Sequence, residues 1–513
     1  MRKKNAIVTA SVVAWLLVVA FLLHGLAHNK SHVVPNSSPP GVETGHGALN
    51  PFYAQKLQWK NCGDGFDCTR LSVPLDYANP AQASISLSVV RHRAPADMTR
   101  GSLIVNPGGP GGSGIDYAKA IDYIMTPTLK DNFDVVGFDP RGVGASTPVR
   151  CLSDSQLDTY LAADQSPDNQ AEVNQFVNLA KVLADGCANK NSEVYRHVDT
   201  VSAARDVDIL RAALGDKKLN WFGKSYGTFL GATYADLFPK NVGRMMLDGA
   251  IDPTLSNEAL SHGQALGFEN ALHRFVRDCA TQSDCPLSHN EKTGVAQVAN
   301  LLADLDQHPG HLADGRAFTQ AMALTGVLGD LYDKRNGWPD LRSALLTALT
   351  GDFEALAASA DFYVSRGSDG KYTSNSNEAI AAVNCLDRPD RASVTRTQSL
   401  AEQWAKQAPV FGISLAWGNL GCTYWRVPAT GKPAEIHAVG APKIVVVGTI
   451  NDPATPYPWA KALAKQLASG VLLTFNGDGH TAYFQGSDCI DQYIDQYFIL
   501  GRAPVGVTCT DGP

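Results

Sequence analysis

Seven short apolar runs bound what this chain can fold into: ISLSVVRH, SLIVNP, FDVVGFDP, LNWFG, GRMMLDG, KIVVVG and VLLTFNG. Several are dense in valine and isoleucine and close on Gly, Pro or Asp, which reads as strands buried on both faces. Between many of them the apolar spacing becomes helical. In DTVSAARDVDILRAALG, for example, Val207, Leu210 and Leu214 fall on one helix face. Such alternation predicts an α/β fold with a mostly parallel sheet and helices on both faces. With 513 residues, 44% hydrophobic and 18% charged, the chain can bury a large core and holds more than one folding unit.

The alternation lapses between about Leu255 and Lys432, where helical patterns such as PDLRSALLTALTGDFEALAASADFY take over and Pro339 suits a first helical turn. Because strands resume at KIVVVG, residues 255–432 read as a helical insertion, dividing the sheet domain into 56–254 and 433–513. An insertion there stands above the carboxyl ends of the strands, where open α/β sheets bind ligands, and is a candidate lid. The chain has no internal repeat and no long low-complexity segment.

The amino end follows other rules. MRKK precedes NAIVTASVVAWLLVVAFLLHGLA, which carries no charge from Asn5 to Leu23. Cations ahead of an apolar run direct the rest of the chain out of the cytoplasm, so residues 1–30 are an export segment. It is either a signal peptide, with Gly25-Leu26-Ala27 as a small-x-small cleavage site, or a retained signal anchor that attaches the protein to the membrane. Residues 31–55, rich in Pro, Ser and Gly at the start, read as a flexible tether. Ten cysteines agree with an oxidising, extracytoplasmic location. Their order suggests neighbouring disulfides: Cys62 with Cys68, Cys151 with Cys187, Cys279 with Cys285, Cys385 with Cys422, and Cys489 with Cys509. CGDGFDC and CATQSDC lack the spacing of zinc ligands, so neither metal nor cofactor is expected. A net charge of −7 offers no basic footprint for nucleic acid.

Chemistry enters at WFGKSYGTFLG. Gly223-Lys224-Ser225-Tyr226-Gly227 matches the nucleophile elbow, set between a strand-like LNWFG and a helical TFLGATYADLF. A plain strand-to-helix turn is the rival, so a base and an oxyanion site must be found. His480 lies in FNGDGHTAYF, a glycine-flanked loop after the last strong strand, where the order Ser, acid, His would put the base. Asp452, past the KIVVVG strand and ahead of a helix that Thr455-Pro456 would start, is the candidate acid; Asp248 in MMLDGAIDP is the alternative. For the oxyanion, LIVNPGGPGGSG leads a strand into a glycine-rich loop, which offers the Gly109 amide beside the amide of Tyr226. The same loop lacks the Lys-Ser/Thr ending of a phosphate cradle.

Taken together, these segments resemble the secreted bacterial tripeptidyl aminopeptidases, serine exopeptidases of the α/β-hydrolase fold related to the proline iminopeptidases. The resemblance runs from about Leu57 to the carboxyl end, through NPGGPGGSG, FDPRGVGAS, GKSYGT, LDGAIDP, GTINDPATP and GDGH. Pro107 departs from the histidine that iminopeptidases carry in the first of these. The resemblance implies an acyl-enzyme at Ser225 and peptide or protein N-termini as substrates. An aminopeptidase must also hold an ammonium, for which AIAAVNCLDRP offers Asp387, unless that residue is only a solvent-exposed lid charge. Two other functions use the same features: an exported carboxylesterase or lipase, and a binding protein on a hydrolase scaffold.

Overall fold

A computed structural model describes residues 46–191 and 193–510; the export segment and residues 31–45 of the tether lie outside them. One sheet is built from β1 (Lys60–Asn61), β2 (Phe66–Pro74), β3 (Ser84–His92), β4 (Ser102–Asn106), β5 (Asp134–Phe138), β6 (Leu219–Lys224) and β7 (Val242–Asp248). After a separate pair, β8 (Gly310–His311) and β9 (Ala317–Phe318), the sheet is completed by β10 (Ile444–Asn451), β11 (Gly470–Asp478) and β12 (Val507–Thr510).

The strand order is β1-β2-β3-β5-β4-β6-β7-β10-β11-β12. It is antiparallel from β1 to β5 and parallel from there on. The predicted α/β sheet is therefore present, and all seven apolar runs are strands in it. Strands β2 and β12 escape the apolar-run criterion. β2, FDCTRLSVP, exposes alternate residues and so mixes polar with apolar.

Strand order reverses at β4. The chain leaves it toward β5 and returns on its other side as β6, with Asn106 paired to Gly223. Loops leaving the carboxyl ends of β4 and β6 thus diverge around a crevice, the place where such sheets bind ligands. Phe222, Met246, Val445 and Val447 pack on one sheet face beneath helices that contribute Ala118, Ile490, Ile494 and Phe498. Residues 138–146, FDPRGVGAS in the sequence, are a clamp. Asp139 accepts the Ser113 hydroxyl at 2.6 Å and the Ala145 amide at 2.8 Å, and buried Arg141 forks onto Asp206 with both bonds at 2.7 Å.

Between β7 and β10 the chain leaves the sheet. Helices Asn257–Cys279, Glu291–Gln307, Gln320–Leu331 and Gly337–Ala348 share a core that includes Leu272, Phe275, Leu302, Val327 and Leu341. Helices Glu354–Tyr363, Ser376–Asp387, Val394–Trp404 and Gly412–Gly418 follow. The expected tether requires one correction at its end: Asn50–Tyr53 is helical, Tyr53 is 3% exposed, and its hydroxyl donates to Asp208 at 2.9 Å. An aromatic ring with a polar tip gains more from burial than from solvent, so ordered chain begins ahead of residue 55. All five neighbouring disulfides are formed, and no described cysteine is free.

Candidate active site

Ser225 sits between the end of β6 and helix Tyr226–Leu237 with φ 54° and ψ −125°. A serine at positive φ is strained, and such strain persists only where the surroundings impose it. Here they do. The Ser225 amide donates to the Asp248 carbonyl at 2.9 Å, and the Ser225 carbonyl accepts both the amide and the hydroxyl of Thr228. A Cβ at Gly227 would stand 2.8 Å from the Asn106 carbonyl oxygen, so only glycine lets the helix start this close to β4. The loop after β4 presses on the elbow from the other side. Gly108, at φ +104°, would put a Cβ 2.7 Å from both the Lys224 carbonyl and the Ser225 Cβ.

His480 follows β11, and its ring is held on several sides. Its Nδ1 lies 2.9 and 3.0 Å from the two carboxylate oxygens of Asp452 and 3.3 Å from the Thr455 hydroxyl. Its backbone amide donates to the Tyr332 carbonyl at 2.7 Å, and its ring meets the edge of the Tyr332 ring at 5.2 Å. Asp452 is buried and saturated. Oδ1 accepts the amides of Ala454 and Thr455 at 2.9 and 2.8 Å; Oδ2 accepts the Thr455 hydroxyl at 2.9 Å and the Thr481 amide at 3.1 Å. A carboxylate held by this many donors keeps its orientation. Histidine Nδ1 on a fixed carboxylate leaves Nε2 to face a substrate or a nucleophile.

Asp248 has a different setting. Its oxygens accept the amides of Ala482 and Tyr483 at 3.0 to 3.1 Å, and Lys224 lies 3.9 Å away while donating to the Tyr483 carbonyl at 2.7 Å. Burial pushes the Asp248 carboxyl up and the Lys224 ammonium down, and their mutual attraction opposes both shifts. This pair fixes the backbone that follows His480, while the imidazole itself rests on Asp452.

Ser225, Tyr226, Gly109 and His480 line one cleft of about 340 Å³ above the sheet. Tyr226 is the first residue of its helix, where a backbone N–H has no acceptor within the helix. The cleft wall comes from the segment between β7 and β10, which contributes Leu260, Gln264, Phe268, Leu328 and Tyr332 among others. An elbow serine, a carboxylate-held histidine and helix-end amides around one cleft can support acyl transfer. A family profile described as alpha/beta hydrolase fold matches residues 101–487, three quarters of the chain.

The chain belongs to the alpha/beta hydrolase fold family. Serine protease Hip1 of Mycobacterium tuberculosis is 37% identical over 88% of this hydrolase and 91% of that protein. Carboxylesterase B of the same organism is 37% identical over 95% and 96% of the two chains. Tripeptidyl aminopeptidase of Streptomyces lividans is 30% identical over 88% of this chain and 86% of its own.

Two expectations for the hydrolase change on inspection of the site. Asp387 is not a solvent-exposed charge, and it is not among the residues lining the cleft. It is 5% exposed, and its two oxygens accept the Thr200 amide and hydroxyl at 2.8 and 2.6 Å. Burial pushes its carboxyl up to about 6. Thr200 in turn shares a hydrogen bond of 2.6 Å with the Tyr226 hydroxyl, so Asp387 braces the residue after Ser225. Thr455, expected to open a helix, instead braces Asp452 and His480, and helix Tyr457–Gln466 begins after Pro456 without a side-chain cap. Tyr332 carries no motif. Nothing in its sequence neighbourhood signals that its carbonyl receives the His480 amide 148 residues later.

Proposed function

We propose that this hydrolase is an exported serine peptidase that cleaves peptides through an acyl-enzyme and releases short segments from free N-termini. Ser225 is the nucleophile and His480 the base, with Asp452 orienting the imidazole and stabilising the imidazolium. The amides of Gly109 and Tyr226 donate to the oxyanion. His480 takes the Ser225 proton as the serine oxygen attacks the carbonyl carbon, then gives that proton to the departing amine; water resolves the ester by the reverse sequence. The observation that carries this reading is the His480 imidazole, 2.9 Å from a fully bonded Asp452, on the wall of the cleft that holds Ser225.

Release from an N-terminus is supported by the relatives named as a serine protease and a tripeptidyl aminopeptidase. It is also supported by the helical segment 255–432, which walls the cleft and acts as a lid over segments 56–254 and 433–513. Five disulfides fit export into an oxidising compartment. No helix among the described residues is long and apolar enough to cross a membrane, so an anchor would lie in residues 1–30.

An esterase reading also has an observation in its favour: no carboxylate is among the described residues lining the cleft, so a substrate ammonium finds only neutral acceptors there. The two readings separate with fluorogenic mono-, di- and tripeptides, each with a free or acetylated N-terminus, assayed beside a short-chain ester. Free peptides cleaved at least about tenfold better than acetylated ones support the exopeptidase; this ratio corresponds to roughly 1.4 kcal/mol in the transition state. Equal cleavage of both, with faster ester turnover, supports the esterase. Ser225→Ala should lower every rate by about 10⁴-fold or more, as for a triad nucleophile.

A further inference from the structure

We infer that Arg388 is the specificity-determining residue of the cleft and that it takes a carboxylate of the substrate. The inference rests on reading the cleft as the peptide site, and it names the substrate class for that site.

Three arginines are buried among the described residues: Arg141, Arg211 and Arg388. The first two sit on carboxylates, Arg141 on Asp206 at 2.7 Å and Arg211 on Asp208 at 2.8 Å. Arg388 is 3% exposed, yet no described carboxylate oxygen comes within 4.0 Å of its guanidinium. Its nearest acids, Asp387 and Asp390, act on it through space and not by contact: Asp387 accepts from Thr200, and one Asp390 oxygen accepts the Glu258 amide at 3.2 Å. A buried guanidinium with no carboxylate in contact recovers less of its desolvation cost than a paired one, so a fold that pairs its other buried arginines directly has left this one open to a ligand.

The remaining contacts say which way the donors are directed. Nε donates to the Leu255 carbonyl at 3.0 Å and Nη1 to the Asn384 side-chain oxygen at 2.9 Å. The guanidinium carbon lies 5.4 Å from the centroid of the Phe229 ring. Nη2 makes no hydrogen bond among the described residues, and Arg388 lines the same cleft as Ser225. Asn384 lines it too. Because its oxygen receives Arg388, its amide nitrogen remains a second donor in the same cleft. Two donors, one of them charged, suit the two oxygens of a carboxylate better than a neutral carbonyl. An ammonium would be repelled here, so the substrate's N-terminus lies elsewhere in the cleft. The carboxylate has two sources in a peptide, an acidic side chain or the free C-terminus of a short substrate.

Matched substrates test this on the wild-type enzyme: Glu against Gln at each position, and free against amidated C-termini. A charge-assisted bond in a desolvated site predicts about a ten- to hundredfold advantage in kcat/KM for the anionic member of one pair, and that pair identifies the source. Arg388→Gln should bring the ratio to about one, and Arg388→Lys should retain part of it. A purely structural Arg388 would lower both rates together and leave the ratio unchanged. Equal rates within every pair on the wild-type enzyme overturn the inference whether or not the variants fold. Peptide hydrolysis that survives Ser225→Ala would instead overturn the peptidase reading, so the two failures are separable.

Discussion

Asp452→Asn separates the chemical role of the acid from its structural one, and its cost follows from the donors around it. Oδ1 receives two backbone amides and Oδ2 one, so the new NH2 group takes the Oδ2 position, where the Thr455 hydroxyl can rotate to accept from it. The Thr481 amide then faces a donor and loses its acceptor, at a cost of about 1–3 kcal/mol in stability. The chemical loss is larger. A neutral amide neither stabilises an imidazolium nor selects the Nδ1–H tautomer, a change worth about 10⁴-fold in kcat at a triad acid. Asp248→Asn should show the opposite balance. Lys224 would keep its burial and lose its counter-charge, which destabilises by about 3–5 kcal/mol, while His480 keeps Asp452. Urea unfolding would be measured beside kcat corrected for active-site concentration with a serine-directed phosphonate. Near-wild-type kcat in Asp452→Asn, with kcat abolished in a folded Asp248→Asn, would refute the assignment.

Gly108→Ala forces a Cβ to 2.7 Å from the Ser225 Cβ at a backbone angle of +104°, so the elbow must shift. We expect kcat to fall by about a hundredfold, as for a displacement of about 1 Å in a reacting group, with little change in circular dichroism. Replacing Cys385 and Cys422 with serine opens a loop of sequence separation 37 on the cleft wall. Chemical denaturation should register a loss of about 3–4 kcal/mol by loop-closure entropy. Burial raises the Asp330 carboxyl to about 7, opposed by the Ser359 hydroxyl at 2.8 Å. The folded state therefore holds this proton more tightly than the unfolded chain, and stability falls as pH rises between about 4 and 7. Wild type should lose about 3 kcal/mol relative to Asp330→Asn over that window, measured as urea midpoints at several pH values; parallel curves would contradict it.

The strands of the parallel half were legible because a strand covered on both faces must be apolar almost throughout, and VVVG or LIVN cannot be much else. Disulfide order was legible for a related reason: cysteines close in sequence have few ways to be far apart in space. Ser225, Asp452 and His480 stand out because each follows a strand run at the carboxyl edge of the sheet, a relation that periodicity and turn residues encode locally. Arg388 and Asp387 were not separable this way. They are adjacent in the chain at the end of one helix, yet one lines the cleft and the other bonds to Thr200 away from it. Tyr332 gains its place against His480 only when the helical segment packs over the strand ends, and Thr455 only when the loops after β10 and β11 meet. Local sequence determines which backbone a segment prefers, through side-chain burial and turn geometry summed over a few residues. Which of two neighbouring charges meets the substrate depends on packing between segments more than a hundred residues apart, and only the tertiary structure decides that.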